Sequence, residues 1–173
     1  MSRGFVKEDD QEEAPFIPPR APLPDGVPNL VTPRGLRHLL EERSRLEEQR
    51  TSIGGSEMER RRSQAEIDGR LALLNERIRT ARPMEPGAGM PSEVRFGTRV
   101  TFIFRSGPQQ GSERAFTLVG VDEANVSEQR IAFTSPIART LMGKRVGERA
   151  ELLLGTGGQE LEVTRIEHEL NEG

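Results

Sequence analysis

The sequence predicts an α+β protein in which an antiparallel helical hairpin precedes a mainly antiparallel sheet with one short helix. Three observations support this fold class. Between positions 32 and 82, apolar residues recur at three- and four-residue spacing, which is the period of a helix. From position 94 onward they alternate with polar residues, which is typical of strands with one buried face. Residues 83–93, rich in proline and glycine, separate the two patterns and predict a linker.

The composition limits the chemistry that the chain can perform. Only 33% of its 173 residues are hydrophobic and 31% are charged, so we expect small packed units rather than one large core. The sequence contains no cysteine, which excludes disulfides, thiolate metal sites and thiol nucleophiles within it. His38 and His168 have polar flanks and are expected at the surface, so a histidine-dependent catalytic triad is not predicted.

The distribution of apolar and basic residues suggests which partners to expect. No apolar run approaches the roughly 18 residues of a membrane span, and the N-terminus lacks the apolar core of a signal peptide. No basic stripe or platform of stacking aromatic residues indicates direct nucleic-acid binding. We therefore expect a cytoplasmic monomer with no membrane partner.

The first 31 residues combine acidic residues with repeated prolines, a composition that favours extended, solvated chain. Residues 1–31 are therefore predicted to be a disordered or loosely docked tail, and residues 170–173 a second short tail. The alternative for the first segment is an acidic arm that binds a metal or a partner. Its acidic residues are Glu8, Asp9, Asp10, Glu12 and Glu13.

Two helices are predicted in residues 32–82. Thr32 reads as the N-cap of the first, Pro33 as its first residue, and the helix is expected to continue to Ile53. Ser56 and Glu59 form a capping-box pattern that begins the second helix after the Gly54-Gly55 turn. The apolar seams are Leu36, Leu39, Leu46 and Ile53 in the first helix, and Ile67, Leu71, Leu74, Ile78 and Ala81 in the second.

These seams predict an antiparallel coiled-coil hairpin with its tip near residues 54–55, because a short glycine turn brings consecutive helices side by side. One apolar stripe on each helix is also compatible with two helices lying flat on a sheet. That alternative remains open from the residues alone.

Five strands are predicted after the linker, and turns rich in glycine separate two pairs of them. Ile166 is out of phase with Leu161 and Val163, which predicts a bulge near Thr164 and Arg165. The alternating apolar pairs are Phe102 and Phe104, Phe116 and Leu118, Ile131 and Phe133, Leu152 and Leu154, and Leu161 and Val163.

One strand turns directly into the short helix. Ser135 reads as an N-cap and Pro136 as the first helical residue, whose missing N–H costs nothing there. Ile137 and Leu141 share one helical face, and Gly143 can adopt the left-handed conformation that ends a helix. From local rules alone, this turn is a well-capped helix start.

Four stretches, Val94–Phe102, Phe116–Ala124, Ile131–Lys144 and Gly158–Glu167, together cover nearly all of residues 94–168. In order and spacing they resemble the C-terminal domain of the bacterial transcript-cleavage factors GreA and GreB. The base of the hairpin is also similar, through Thr32–Leu36 and Asp68-Gly69-Arg70.

This resemblance implies a coiled-coil hairpin that enters the secondary channel of RNA polymerase and an FKBP-like domain, residues 94–169, that docks outside it. The partner it implies is core RNA polymerase, at the rim of the channel, so nucleic acid would be contacted only through the polymerase. The corresponding docking residues are Thr134, Ser135 and Pro136, and we add Ile137 and Arg139 from the same turn.

The tip departs from the family pattern. Family hairpins are several turns longer and carry an aspartate and a glutamate that help to hold the second catalytic Mg²⁺, whereas this chain has Ile53-Gly-Gly-Ser-Glu-Met-Glu59. Glu57 and Glu59 are two positions apart, so their side chains diverge by roughly 200° on a helix. The capping box and the helix dipole already explain both glutamates.

The leading prediction is therefore a non-enzymatic, cofactor-free regulator that binds RNA polymerase without stimulating RNA cleavage. The alternative is an active cleavage factor that supplies Mg²⁺ ligands from Glu57 and Glu59 or from the acidic tail. Peptidyl-prolyl isomerase activity, suggested by an FKBP-like fold, is disfavoured because the aromatic pocket it needs includes tryptophan and tyrosine, and the chain has neither.

Overall fold

The computed structural model describes residues 13–155 and 157–169 and contains three helices and a curled, mostly antiparallel sheet. The helices are α1 (Pro33–Thr51), α2 (Glu57–Thr80) and α3 (Pro136–Leu141). The strands are β1 (Leu30–Val31), β2 (Arg82–Pro83), β3 (Thr98–Phe104), β4 (Glu113–Val119), β5 (Arg130–Ala132), β6 (Arg149–Leu154) and β7 (Gly157–His168). We call α1 and α2 the helix pair and residues 94–169 the sheet unit.

The helix pair begins where the sequence predicts. Thr32 is the N-cap of α1, and its hydroxyl oxygen accepts the N–H of Gly35 at 2.9 Å. Ser56 and Glu59 form the predicted capping box at the start of α2. α1 ends at Thr51, two residues before the predicted end. There the N–H of Ser52 donates back to the Gln49 carbonyl, and the Thr51 hydroxyl donates to the Glu48 carbonyl.

The apolar seams of α1 and α2 face each other. Leu39, Leu46 and Leu74 are almost fully buried in one shared cluster, and Arg50 of α1 pairs with Asp68 of α2 at 2.5 Å. The arrangement with both helices flat on a sheet is therefore not adopted. The residues that pack around the cluster are Leu36, Ile67, Leu71, Ile78 and Ala81.

The sheet unit has the strand order β5-β4-β3-β7-β6, in which only β4 and β5 pair in parallel. The predicted bulge is confirmed: Thr101 lies opposite Arg165 while its neighbour Phe102 lies opposite Val163, so Thr164 is the extra residue. Leu154 is not buried as the alternating pattern predicts, because it lies at the exposed end of β6 and remains about half accessible to solvent. The core comprises Val94, Val100, Phe102, Phe104, Leu118, Ile131, Ala138, Leu141, Leu152, Leu161, Val163 and Ile166.

Residues 13–31 differ from the predicted disordered tail. Val31 and Asn29 are buried, and Leu30–Val31 pairs in parallel with Arg82–Pro83 to form a two-stranded ribbon at the base of the helix pair. The sequence gives no local signal for this pairing, because its strands are two residues long and are distant along the chain. Four of the five acidic residues named above lie outside the described residues, so the structure does not address the acidic arm.

The end of β4 is covered on both faces. Thr117, Leu118 and Val119 are consecutively buried, whereas a strand with one solvated face would alternate. At Gly120 a Cβ atom would lie only 2.5 Å from the Leu30 carbonyl oxygen, so glycine permits the ribbon to approach. The helix pair therefore meets the sheet unit at this end of β4.

No helix among the described residues is both long and apolar enough to span a membrane.

We predict that Leu74→Ala lowers the free energy of unfolding by about 3 kcal/mol, because it opens a cavity in the apolar cluster shared by α1 and α2. Urea denaturation followed by helical circular dichroism measures the change. Leu73→Ala is the matched control, because the neighbouring Leu73 is 41% exposed and should lose less than 1 kcal/mol. Equal losses in the two variants would contradict the packing described for the helix pair.

Candidate functional site

Residues 134–139, which comprise the end of the β5–α3 turn and the first four residues of α3, are held by backbone and cap hydrogen bonds. The N–H of Phe133 donates to the Val119 carbonyl at 2.9 Å, and that of Ser135 donates to the Ala132 carbonyl at 2.9 Å. The Ser135 hydroxyl accepts the N–H of Ala138 at 3.4 Å, as expected for an N-cap. We call residues 134–139 the surface turn.

The far end of α3 is fastened to the sheet unit. Gly143 has φ +79°, the left-handed conformation predicted for it, and its N–H donates to the Val94 carbonyl at 2.8 Å. The N–H of Val94 donates in return to the Lys144 carbonyl at 2.8 Å. Since Ala138 and Leu141 are fully buried, α3 presents the surface turn from a rigid support.

The structure brings the five predicted docking residues together in this turn, with unequal exposure. Pro136 and Arg139 are exposed, whereas Thr134, Ser135 and Ile137 are half-buried. Ile137 packs against the core of the sheet unit, so its role is partly structural. Among the described residues Arg139 takes part in no ion pair, which leaves its guanidinium available to an external anion or carbonyl.

The two candidate carboxylates lie in the first turn of α2, and we call this turn together with the connection from α1, residues 52–59, the tip. Glu59 Oε2 accepts both the backbone N–H and the hydroxyl of Ser56, each at 2.8 Å. Both hydrogen bonds lower the pKa of the Glu59 carboxyl, and the one from the backbone N–H has the larger effect. Glu59 is therefore ionised at neutral pH and held against its own helix start.

Glu57 is oriented by a different partner. Its carboxylate pairs with the Arg61 guanidinium one turn further along α2, at 2.5 Å. The two glutamates thus point to separate partners rather than towards a common ligand. Within residues 13–155 and 157–169, no three acidic or histidine side chains are grouped as a metal site would require. The acidic arm lies largely outside that range.

A second cluster of charges joins the base of the helix pair to the sheet unit. The Thr32 hydroxyl donates to Glu123 Oε2 at 2.6 Å while it accepts the Gly35 N–H, so one carboxylate is coupled to the start of α1. Glu123 also pairs with Arg130, and both side chains are only 4% exposed. Glu169 contacts the same guanidinium, so two carboxylates share one cation.

Asp122 extends this cluster to α2. The Arg77 Nε atom lies 3.0 Å from Asp122 Oδ2, and the Asp122 side chain is only 8% exposed. The contact is an ion pair rather than an aligned hydrogen bond, so Oδ2 has no hydrogen-bond donor among the described residues. We did not predict this cluster from the sequence. A signal is present, because two adjacent acids, Asp122 and Glu123, directly follow the buried segment Val119-Gly120-Val121.

We predict that the Glu59 carboxyl titrates below its usual range, and that Ser56→Ala raises the pKa partway back, because the backbone donor remains. Since the folded-state pKa is lowered, the stabilisation by the capping box is complete above the usual carboxyl pKa and is lost as the pH falls through the lowered value. NMR titration of the glutamate side chains measures both midpoints. A Glu59 midpoint within the usual range of a glutamate carboxyl would contradict the capping geometry.

We also predict that Glu123→Ala costs roughly 3 kcal/mol of stability, because it removes the buried partner of the Arg130 guanidinium and leaves only the partly exposed Glu169 to pair with it. Glu128→Ala is the matched control, since that exposed residue pairs with Arg34 at 2.9 Å and should cost under 1 kcal/mol. Chemical denaturation measures both, and a Glu123 effect no larger than the control would contradict the buried role.

Residues 90–168 match the family model described as transcription elongation factor, GreA/GreB, C-term. The transcription elongation factor GreA of Chloroflexus aggregans is 31% identical over 115 residues, which are 66% of this chain and 71% of that protein. GreA of Hyphomonas neptunium is 35% identical over 103 residues, which are 60% of this chain and 64% of that protein. The chain thus spans slightly less than two thirds of the length of the first curated relatives it matches, between 62% and 66%.

Two solved structures are also similar. The GreA factor homolog 1 (Gfh1) of Thermus thermophilus is 23% identical, with a TM-score of 0.36 over 79% of this chain and 97% of that one. The elongation factor GreA/GreB from Nitrosomonas europaea is 17% identical, with a TM-score of 0.40 over 82% of this chain and 99% of that one.

Proposed function

Since this chain belongs to the GreA/GreB family of transcription elongation factors, we propose that it binds core RNA polymerase and regulates elongation without stimulating RNA cleavage. In this proposal the sheet unit is the FKBP-like domain of the family and docks at the rim of the secondary channel. The helix pair is the coiled-coil hairpin and points into the channel. The protein is an accessory factor that acts through the polymerase rather than an enzyme.

The observation that carries the docking proposal is the rigid presentation of the surface turn. Pro136 and Arg139 project from a turn that is capped at Ser135 and fixed at Gly143, and the turn lies inside the region that matches the family model. A preorganised surface loses little conformational entropy when it binds, so a small turn can contribute appreciable affinity. Arg139 adds a charge that is free to pair with the partner.

The absence of cleavage stimulation is proposed from the chemistry of the tip. Magnesium needs several oxygen ligands in near-octahedral geometry, which requires carboxylates that converge. Glu59 is hydrogen-bonded to Ser56 and Glu57 is paired with Arg61, so joint coordination would require both partners to be released.

The length of the helix pair supports the same conclusion. α1 has 19 residues and α2 has 24, which correspond to about 28 Å and about 36 Å at about 1.5 Å per residue. The hairpins of the related cleavage factors are several turns longer. If this chain docks as they do, its tip therefore ends short of the catalytic centre of the polymerase. The proposed activity is therefore occupation of the channel mouth, in competition with active cleavage factors.

The alternative is an active cleavage factor that uses Glu57 and Glu59. The observation in its favour is that both carboxylates are exposed at the tip and ionisable. Against it, they diverge and are already partnered, so we rank it second.

We predict that Arg139→Glu together with Pro136→Gly reduces retention on immobilised core RNA polymerase at least tenfold, which corresponds to about 1.4 kcal/mol. Ser135 is left intact, so the helix cap and the fold should be preserved, which circular dichroism checks. Arg114→Glu is the control, because Arg114 is also exposed but lies at the end of β4 remote from β5. Undiminished retention of the folded double variant would refute the docking surface.

We predict that the wild-type protein produces no Mg²⁺-dependent shortening of RNA in backtracked elongation complexes, and that it slows the shortening caused by a GreA relative added in limiting amount. Gel analysis of labelled transcripts measures both effects. RNA shortening by the wild type that is lost in Glu57→Ala with Glu59→Ala would establish the alternative function instead. Arg62→Ala, at an exposed position of the same helix, controls for general disturbance of the tip.

A further inference from the structure

Residues 13–31 run along the base of the helix pair and reach the sheet unit. They contact α1, α2 and the turn after β4, although they contain no helix and only the two-residue strand β1. By contrast, residues 84–93, which connect α2 and β2 to the sheet unit, contain no helix or strand and are mostly exposed. The direct covalent connection therefore does little to fix how the two parts are oriented.

Arg20 joins three parts of the chain through one guanidinium. Its Nε atom donates to Asp122 Oδ1 at 2.9 Å, while Nη1 and Nη2 donate to the two oxygens of Glu42 at 3.0 and 3.1 Å. Asp122 belongs to the sheet unit and Glu42 to α1. The planar, five-donor fork of arginine suits such a double contact, whereas the single ammonium of lysine does not.

Arg77 completes the contact from α2. It donates through Nη2 to the Ala21 carbonyl at 2.5 Å, and its Nε lies 3.0 Å from the same Asp122 carboxylate. The Asn29 side chain donates in turn to the Arg77 carbonyl at 2.9 Å. One carboxylate of the sheet unit thus receives an arginine from residues 13–31 and another from α2.

An apolar contact supports these ion pairs. Ile17 lies over Gly69 of α2, so closely that a Cβ atom at Gly69 would be 2.5 Å from the Ile17 Cδ1 atom. Glycine in the middle of a helix costs stability relative to alanine. Here its missing side chain makes room for Ile17, which gives a packing reason for that cost.

We propose that residues 13–31 are a positioning strap that fixes the direction in which the helix pair projects from the sheet unit. Arg20 is its central positioning residue, because its one guanidinium bridges the strap, α1 and Asp122. The strap would thereby set the position of the tip relative to the surface turn. This orientation is a property of the isolated chain, and only its consequence for the polymerase rests on the proposed function.

The test measures the distance distribution between two spin labels in the full chain. The sequence contains no cysteine, so Ser63→Cys on α2 and Gln110→Cys in the β3–β4 turn give two unique attachment sites, both exposed. We expect one narrow distance peak in the otherwise wild-type chain and at least a twofold broader or shifted peak with Arg20→Ala. Arg20→Lys should broaden it by less, because it keeps the charge but loses the fork.

Arg79→Ala is the matched control, because Arg79 pairs with Glu76 within α2 and makes no hydrogen bond or ion pair between the two parts among the described residues. It should leave the peak unchanged. An unchanged peak in a folded Arg20→Ala variant would overturn the proposal.

A second variant displaces the strap without altering any charge. Gly69→Leu places a good helix-forming side chain where Ile17 lies, so it should broaden the distance peak while α2 stays helical by circular dichroism. Ala72→Leu, at an exposed position of the same helix, is its control and should have no effect. A narrow, unshifted peak in Gly69→Leu would overturn the proposal even if Arg20→Ala failed to fold.

The consequence for transcription is measured separately. We expect Arg20→Ala to remain on core RNA polymerase within twofold of wild type, because the surface turn is intact, but to lose at least half of its competition with a GreA relative. Full competition despite a broadened peak would overturn the role of the strap at the polymerase. Failure of the wild-type chain to bind polymerase would refute the proposed function, while the distance measurement would still decide on the strap.

Discussion

The adjacent carboxylates Asp122 and Glu123 are the constraint on which the arrangement of the two parts depends. Glu123 accepts the hydroxyl of the residue that caps α1 and pairs with the buried Arg130. Asp122 receives Arg20 and Arg77 from two other segments. Both carboxylates are largely removed from water, which is favourable only when such charges are fully paired. The turn after β4 therefore connects the sheet unit to residues 13–31, to the start of α1 and to α2.

The same local device begins all three helices. Thr32 and Ser135 each cap a helix whose first residue is proline, and Ser56 caps the third through a capping box with Glu59. In each case a hydroxyl satisfies a backbone N–H that the helix leaves free. At α1 the capping hydroxyl also donates to Glu123, so a local capping interaction becomes part of the contact between the helix pair and the sheet unit.

The two ends of the helix pair use their charges differently. At the base, acidic side chains are buried and shared among segments that are distant along the chain. At the tip, Glu57 and Glu59 are exposed and pair only with residues of their own helix start. Charges at the tip therefore stabilise the start of α2 itself. The polar groups that connect the helix pair to the sheet unit lie at the base. This division is the basis of the proposal that the protein acts by its placement on the polymerase rather than by chemistry at the tip.

The sequence by itself determined the features that depend on near neighbours: the caps, the facing seams around Leu74, the Thr164 bulge and the surface turn at Pro136. Hydrogen bonds within one helical turn and the side-chain periods of helices and strands control these, and both are legible in consecutive residues. Only the tertiary structure decided that residues 13–31 dock and that Arg20 reaches Asp122. Those contacts join segments up to 102 positions apart, and burial of their charges is tolerated only because the fold brings opposite charges together.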